Sequence, residues 1–241
     1  MARTGFFHHI GTFLLLVATV LLIITCISSP VVPGISLLKV ELGRNSAFSQ
    51  DDHATVTFGS FGWCANGALP GGGSDCPRAF GYSPLRIMSS IDGATEYSDY
   101  AEDTTRVLTK VMILHPIACG INFIAFLLAL SAGTVGSLLA SLVAVLAFLV
   151  TAVACIIDFV LFSIVRSNVN DNGTGSAVYY GTAAWTILVS AICSLVGAIV
   201  VFFTCCSGRL HKRRESRHMG VKNDYGAPVV APRRRRRFGL F

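Results

Sequence analysis

The chain alternates between long apolar runs and polar segments, and four of the apolar runs approach the length of a membrane span. A span needs about 20 apolar residues to cross roughly 30 Å of hydrocarbon. The first and fourth runs carry no charge, the second contains His115, and the third contains Asp158. The pattern predicts an all-α membrane protein built as a bundle of four transmembrane helices.

Charge is distributed unevenly and sets the expected orientation. Residues 207–241 hold eleven Lys/Arg and two acids, whereas residues 30–109 hold five Lys/Arg and nine acids. Basic residues collect on the cytosolic side of membrane proteins, so the tail is expected in the cytosol. Four spans then place the N-terminus on the same side.

These two patterns divide the chain into nine regions. We expect a cytosolic N-terminus at 1–9, spans at 10–29, 110–130, 138–165 and 183–206, outer loops at 30–109 and 166–182, a cytosolic link at 131–137, and a basic disordered cytosolic tail at 207–241. The first span also fits a cleavable signal peptide, which would leave three spans.

The long outer loop has the composition of a small antiparallel sheet resting on the bundle. Residues 35–42, 55–61 and 79–82 show partial alternation and β-branched or aromatic side chains, which predicts strands. So small a sheet needs a staple or a packing partner. Cys64 and Cys76 share this loop, and an oxidising exterior favours a disulfide between them over two thiols.

Three costly or unusual polar residues lie within the spans. His115 and Asp158 fall at similar depth in the outer leaflet, which suggests a contact between the second and third spans and a possible pH dependence. Alternatively, the histidine caps or kinks a helix start before Pro116, and the aspartate reaches interfacial water or pairs with Arg166. Asn122 is expected to make an interhelical hydrogen bond.

Several positions are candidates for attachment or lipid contact. Asn172 begins a glycosylation sequon in an outer loop. Cys205 and Cys206, at the cytosolic end of the last span, are candidates for palmitoylation, or else buried thiols. Basic tail residues are expected to contact anionic lipid headgroups, or to serve as topology determinants or a sorting signal: Arg209, Lys212, Arg213, Arg214, Arg217, Arg233, Arg234, Arg235, Arg236 and Arg237.

No constellation in the sequence predicts enzymatic chemistry. We find no phosphate-binding glycine loop followed by Lys-Ser/Thr and no metal-ligand spacing around Cys64 and Cys76. We therefore expect no catalytic residues, no metal and no cofactor. A small channel or transporter is an alternative, for which the spans offer few polar residues to line a path.

An ordered set of motifs resembles a known family. The segment Gly59-Ser60-Phe61-Gly62-Trp63-Cys64, followed by Cys76, is similar to the claudin-type signature of a first outer loop. Together with Leu114-His115-Pro116 and the segment from Ile157 to Phe162, it resembles the fungal PalI family of four-span proteins, which includes the eisosome tetraspans.

The resemblance implies a non-enzymatic accessory protein of the plasma membrane. Such proteins support ambient-pH signalling beside a larger pH-sensing receptor, or organise membrane domains and influence cell-wall processes. Expected partners are the lipid bilayer, anionic lipid headgroups and other membrane proteins such as that receptor or eisosome components, with no nucleic acid. A claudin-like adhesion protein is the remaining alternative.

Overall fold

The computed structural model describes residues 6–32, 34–43, 54–69, 72–92, 97–131, 134–171 and 173–222, without the side chains of 6–7, 92, 134–137 and 206–222. Helices and strands follow in this order: α1 Phe6–Cys26, β1 Leu38–Glu41, β2 Thr55–Gly59, β3 Gly62–Leu69, β4 Gly73–Asp75, α2 Pro84–Asp92, α3 Asp99–Val111, α4 Leu114–Leu130, α5 Thr134–Asn170, β5 Ala177–Tyr180 and α6 Thr182–Lys222.

Four helices form the bundle, and each is long and apolar enough to cross a membrane. They pack in the cyclic order α1, α4, α5, α6. Small residues bring them close: a Cβ on Gly11 of α1 would lie 3.0 Å from Val200 and Val201 of α6. Ser190, Ser194 and Ala198 of α6 are all buried at helix contacts. Close approach of this kind stabilises helix pairs in lipid, where the hydrophobic effect is absent.

A five-stranded antiparallel sheet covers one end of the bundle, in the order β4-β3-β2-β1-β5. We call this end the outer end and the loops that reach it the outer loops. The first four strands come from the long outer loop, and β5 comes from the second outer loop. Strand β1 therefore pairs on one side with β2 and on the other with β5, where Leu38 faces Tyr180. A disulfide joins Cys64 of β3 to Cys76 just after β4. The predicted fold class is confirmed.

Two helices that the sequence pattern did not predict complete the outer domain. Helix α2 begins at Pro84, which suits a first helical position, and buries Leu85 and Met88. Helix α3 begins after Ser98, whose side chain accepts a hydrogen bond from the Ala101 backbone N–H. The largest apolar core lies between these helices, the inner face of the sheet and the outer end of α5.

Two expectations from the sequence were wrong. No strand forms at 79–82, a segment that the structure describes in full. The segment just before it pairs only by a bridge between Arg78 and Gly62, and the pairing ends because Gly81 turns the chain at a φ of +66°. The tail is also not disordered from its start, since α6 continues to Lys222. Extending an existing helix needs no new nucleation, and the segment is rich in arginine and lysine, which favour helix.

Candidate functional site

The two costly span residues meet directly beneath the sheet. His115 lies in the first turn of α4, just after the α3–α4 break, and Asp158 lies on α5. The His115 Nε2 is 2.9 Å from Asp158 Oδ2, and its Nδ1 is 2.9 Å from the Met112 carbonyl oxygen. Both side chains are buried. The His115 ring therefore contacts both the carbonyl group at the α3–α4 break and the carboxyl group on α5.

Hydrogen-bond chemistry fixes the proton on one ring nitrogen of His115. A carbonyl oxygen can only accept, so Nδ1 of His115 carries a proton directed at Met112. The contact between Nε2 and Asp158 Oδ2 then contains one proton, held by either atom. In both forms the pair is neutral overall, which allows two ionisable groups to be buried together. The alternatives of an Arg166 partner or a solvent-exposed Asp158 do not describe this geometry.

Asn122 organises a second polar contact one level deeper in the bundle. Its Nδ2 donates to the Ala118 carbonyl oxygen at 2.9 Å and to Thr151 Oγ1 of α5 at 3.1 Å, and its Oδ1 accepts from Ser194 Oγ of α6 at 2.9 Å. All three side chains are fully or almost fully buried. The amide thus joins α4, α5 and α6 by interhelical hydrogen bonds.

The Gly-Phe-Gly-Trp-Cys signature forms the tip of the β2–β3 hairpin, and this tip sits on the outer end of α1. A Cβ on Gly59 would lie 2.0 Å from the Ser29 carbonyl oxygen, and one on Gly62 would lie 2.5 Å from the Pro77 carbonyl oxygen. The Ser60 N–H donates to Ser28 Oγ at 3.1 Å. The glycines are therefore required for close contact with backbone, while Phe61 and Trp63 are half-buried beside them.

Tyr82 connects this hairpin to the helices. Its hydroxyl donates to the Gly59 carbonyl oxygen at 2.6 Å, and its ring stacks on Phe58. Burial, together with the nearby Asp158 carboxylate, raises the pKa of the Tyr82 phenol well above its usual value. The signature, Tyr82 and Asp158 thus belong to one contiguous region.

The other candidate residues are described only in part. Cys205 is buried. Cys206, Arg209, Lys212, Arg213, Arg214 and Arg217 lie on α6, but their side chains are outside the described residues. Asn172 and the run from Arg233 to Arg237 also lie outside them.

Sequence reasoning missed the partners of the span residues. The sequence does not single out Thr151 or Ser194, because small hydroxyl residues are common in membrane helices, and its pattern places Tyr82 in the strand expected at 79–82. A signal was present: Asn122 must satisfy an amide in lipid, and hydroxyl side chains on the neighbouring helices are its natural partners. No comparable signal identifies the Met112 carbonyl, because it depends on where the helix breaks.

Comparisons with known proteins agree on one family. A SUR7/PalI family model matches residues 7–197. The pH-response regulator protein palI/RIM9 of Pyricularia oryzae is 28% identical over 231 residues, which cover 91% of this chain and 27% of that protein. The pH-response regulator protein palI/RIM9 of Emericella nidulans is 32% identical over 124 residues, which cover 50% of this chain and 18% of that protein.

This chain therefore spans about a quarter or less of the length of these relatives. The family match, by contrast, covers most of the chain and includes all four membrane-spanning helices up to residue 197. The protein belongs to the SUR7/PalI family.

Proposed function

We propose that the protein is a non-enzymatic accessory of the plasma membrane that supports ambient-pH signalling by binding a larger membrane protein beside it. The observation that carries this proposal is the family match over residues 7–197, together with the name pH-response regulator borne by both relatives. On this proposal both termini face the cytosol and the sheet faces outside.

Helices α3 and α4 together offer a surface for such a partner. Helices α3 and α4 run almost continuously from Asp99 to Leu130, 32 residues, or roughly 48 Å at 1.5 Å per residue. That exceeds about 30 Å of hydrocarbon, so α3 projects outward. On α3, the apolar side chains of Tyr100 (82%) and Val107 (57%) are exposed, and on α4 those of Ile117 and Ile124 are exposed as well. We expect a partner with both a membrane span and an outer domain to contact these exposed apolar side chains on α3 and α4.

The proposal is tested by deletion and by one surface variant. Deleting the gene should abolish growth at alkaline pH, and Val107→Asp should reproduce that defect while the protein still reaches the cell surface. A charge at an exposed position leaves the fold intact but opposes burial against a partner. The neighbouring exposed variant Arg106→Gln is the control and should grow normally. Normal alkaline growth of the deletion strain would contradict the proposal.

Organisation of membrane domains is the second candidate, because the resemblance to the PalI family implies that role beside pH signalling, and the family match covers residues 7–197. Fluorescent tagging of the chain separates the two. Immobile cortical patches whose loss leaves alkaline growth intact favour domain organisation; a diffuse surface signal with an alkaline growth defect favours the signalling role.

A further inference from the structure

Asp158 has one oxygen that the His115 pair does not use. The Oδ1 atom is fully buried and has no hydrogen-bond partner among the described residues, and the side chain as a whole is 5% exposed. Leaving such an oxygen unsatisfied is unfavourable, and more so where it carries charge. A hydrogen-bond donor is therefore expected beside it.

A small cavity lies against this residue. Its volume is about 10 Å³, the room of one water-sized group. Its walls are almost entirely apolar and come from the α3–α4 break, α5, the sheet and the start of α6. They include Met112, Phe159, Leu161, Phe162, Tyr180 and Ala184.

The walls suit a hydroxyl on an apolar body better than a free water molecule. A buried water needs two to four polar partners. Asp158 is the one charged side chain in the lining, and the backbone of the neighbouring Leu37 is already paired with Phe58 and Gly181. A hydroxyl that belongs to an apolar molecule needs one strong acceptor, and Oδ1 provides it.

The surroundings of the cavity are those of the outer membrane interface. Tyr180, on its wall, is 36% exposed, and Trp185, one residue beyond Ala184, is 55% exposed. The Tyr180 ring also packs against Phe159 and Phe162. Exposed Trp and Tyr side chains typically lie at headgroup level, where a neutral lipid holds its hydroxyl.

We propose that this cavity binds the hydroxyl group of a neutral membrane lipid, with Asp158 Oδ1 as the acceptor and the Tyr180 and Trp185 rings against the apolar body. Sterols and diacylglycerols share the required chemistry of a single hydroxyl on a large apolar body. Lipids in which that hydroxyl is blocked lack the donor and should not bind.

The test uses the full chain in phosphatidylcholine nanodiscs with photoactivatable probes. One arm compares a sterol probe with its O-methyl ether, and the other compares a diacylglycerol probe with its acetylated form. We expect saturable labelling near Phe159 or Tyr180, at least fivefold stronger for one of the two alcohols than for its blocked form. The arm that responds identifies the lipid class. Equal labelling by alcohol and blocked form in both arms would overturn the proposal.

A matched pair of variants gives a second readout. Ala184→Leu fills the cavity and should remove the preference for the alcohol. Ala152→Leu adds the same volume on α5, away from the cavity lining, and should leave the preference unchanged. Preference retained in Ala184→Leu would overturn the assignment. The wild-type comparison of alcohol with blocked lipid stands if Ala184→Leu fails to fold.

Discussion

At the scale of single residues, the two members of the buried pair are not equivalent. His115 retains its Met112 contact when Asp158 is removed, and becomes a neutral imidazole with one unsatisfied nitrogen. Asp158 has no second partner among the described residues when His115 is removed, because its other oxygen is already unsatisfied. A buried carboxylate without a partner is more costly than a buried neutral imidazole.

A double-mutant cycle should reveal this asymmetry. We expect His115→Leu to lower the free energy of unfolding by about 3–5 kcal/mol and Asp158→Leu by about 1–3 kcal/mol. The double variant should be more stable than His115→Leu alone, because no unpaired charge remains. Reversible unfolding in mixed detergent micelles measures all four proteins. Additive losses would show that the pair does not interact.

Tyr82 predicts a stability change at high pH. Its pKa is raised in the folded state by burial and by Asp158, above an unfolded value of about 10. The protonated phenol therefore makes its full contribution to the free energy of unfolding below pH 10. This contribution is lost as the pH rises above 10 toward the pKa in the folded state. Tyr82→Phe should cost about 1 kcal/mol at neutral pH through the lost hydrogen bond, but it should lose less stability above pH 10.

Unfolding of wild type and Tyr82→Phe at a series of pH values measures this difference. Tyr179→Phe is the matched control, because Tyr179 is half exposed on β5, and it should follow the wild-type curve. Parallel curves for wild type and Tyr82→Phe above pH 10 would contradict the prediction.

At the scale of elements, the β2–β3 hairpin depends on close contact with α1. Gly59→Ala should destabilise the outer domain by about 3 kcal/mol, because its Cβ would overlap the Ser29 carbonyl oxygen. Gly34→Ala is the matched control, since no atom lies within 4 Å of its added Cβ. Limited proteolysis of the outer loop reports the difference. Equal protease resistance of the two variants would show that the hairpin does not need this contact.

The elements differ in how well their sequence predicts them. Long apolar runs, interrupted only by His115 and Asp158, indicated the four membrane helices directly. Helix α3 was not predicted because its buried face consists of Ala101, Thr105 and Thr109. These residues recur with helical spacing, but they are too small or too polar to give a hydrophobic pattern. Strand β5 has four residues, too few for a period-two signal, and its place in the sheet depends on its pairing with β1.

The candidate site was predictable in its residues but not in its geometry. His115, Asn122 and Asp158 were identified because polar side chains are unfavourable in lipid. A comparison of their depths in the membrane placed His115 and Asp158 at the same level. Helix rotation cannot be inferred from depth, so sequence left the pairing open among several partners. The unused Oδ1 oxygen and its cavity depend on the seating of the sheet over α5, which no local pattern encodes.

At the scale of the whole molecule, the sheet and the basic end of α6 lie at opposite ends of the bundle, which predicts the orientation. In intact cells, external protease should leave an epitope at the C-terminus uncut, whereas permeabilised cells should lose it. An epitope inserted after Gly72, an exposed position in the outer loop, should be cut in both. Digestion of the C-terminal epitope from outside would reverse the proposed topology.

Strand β5 also constrains the order of biosynthesis. The β1 segment leaves the ribosome early, but its neighbour at the sheet edge, β5, follows only after α5 has been synthesised. Until then, the backbone groups of β1 along the edge that faces β5 have no strand partner. The five-stranded sheet can therefore be completed only after α5 has been synthesised, so the last strand of the sheet depends on a segment that follows the third membrane helix.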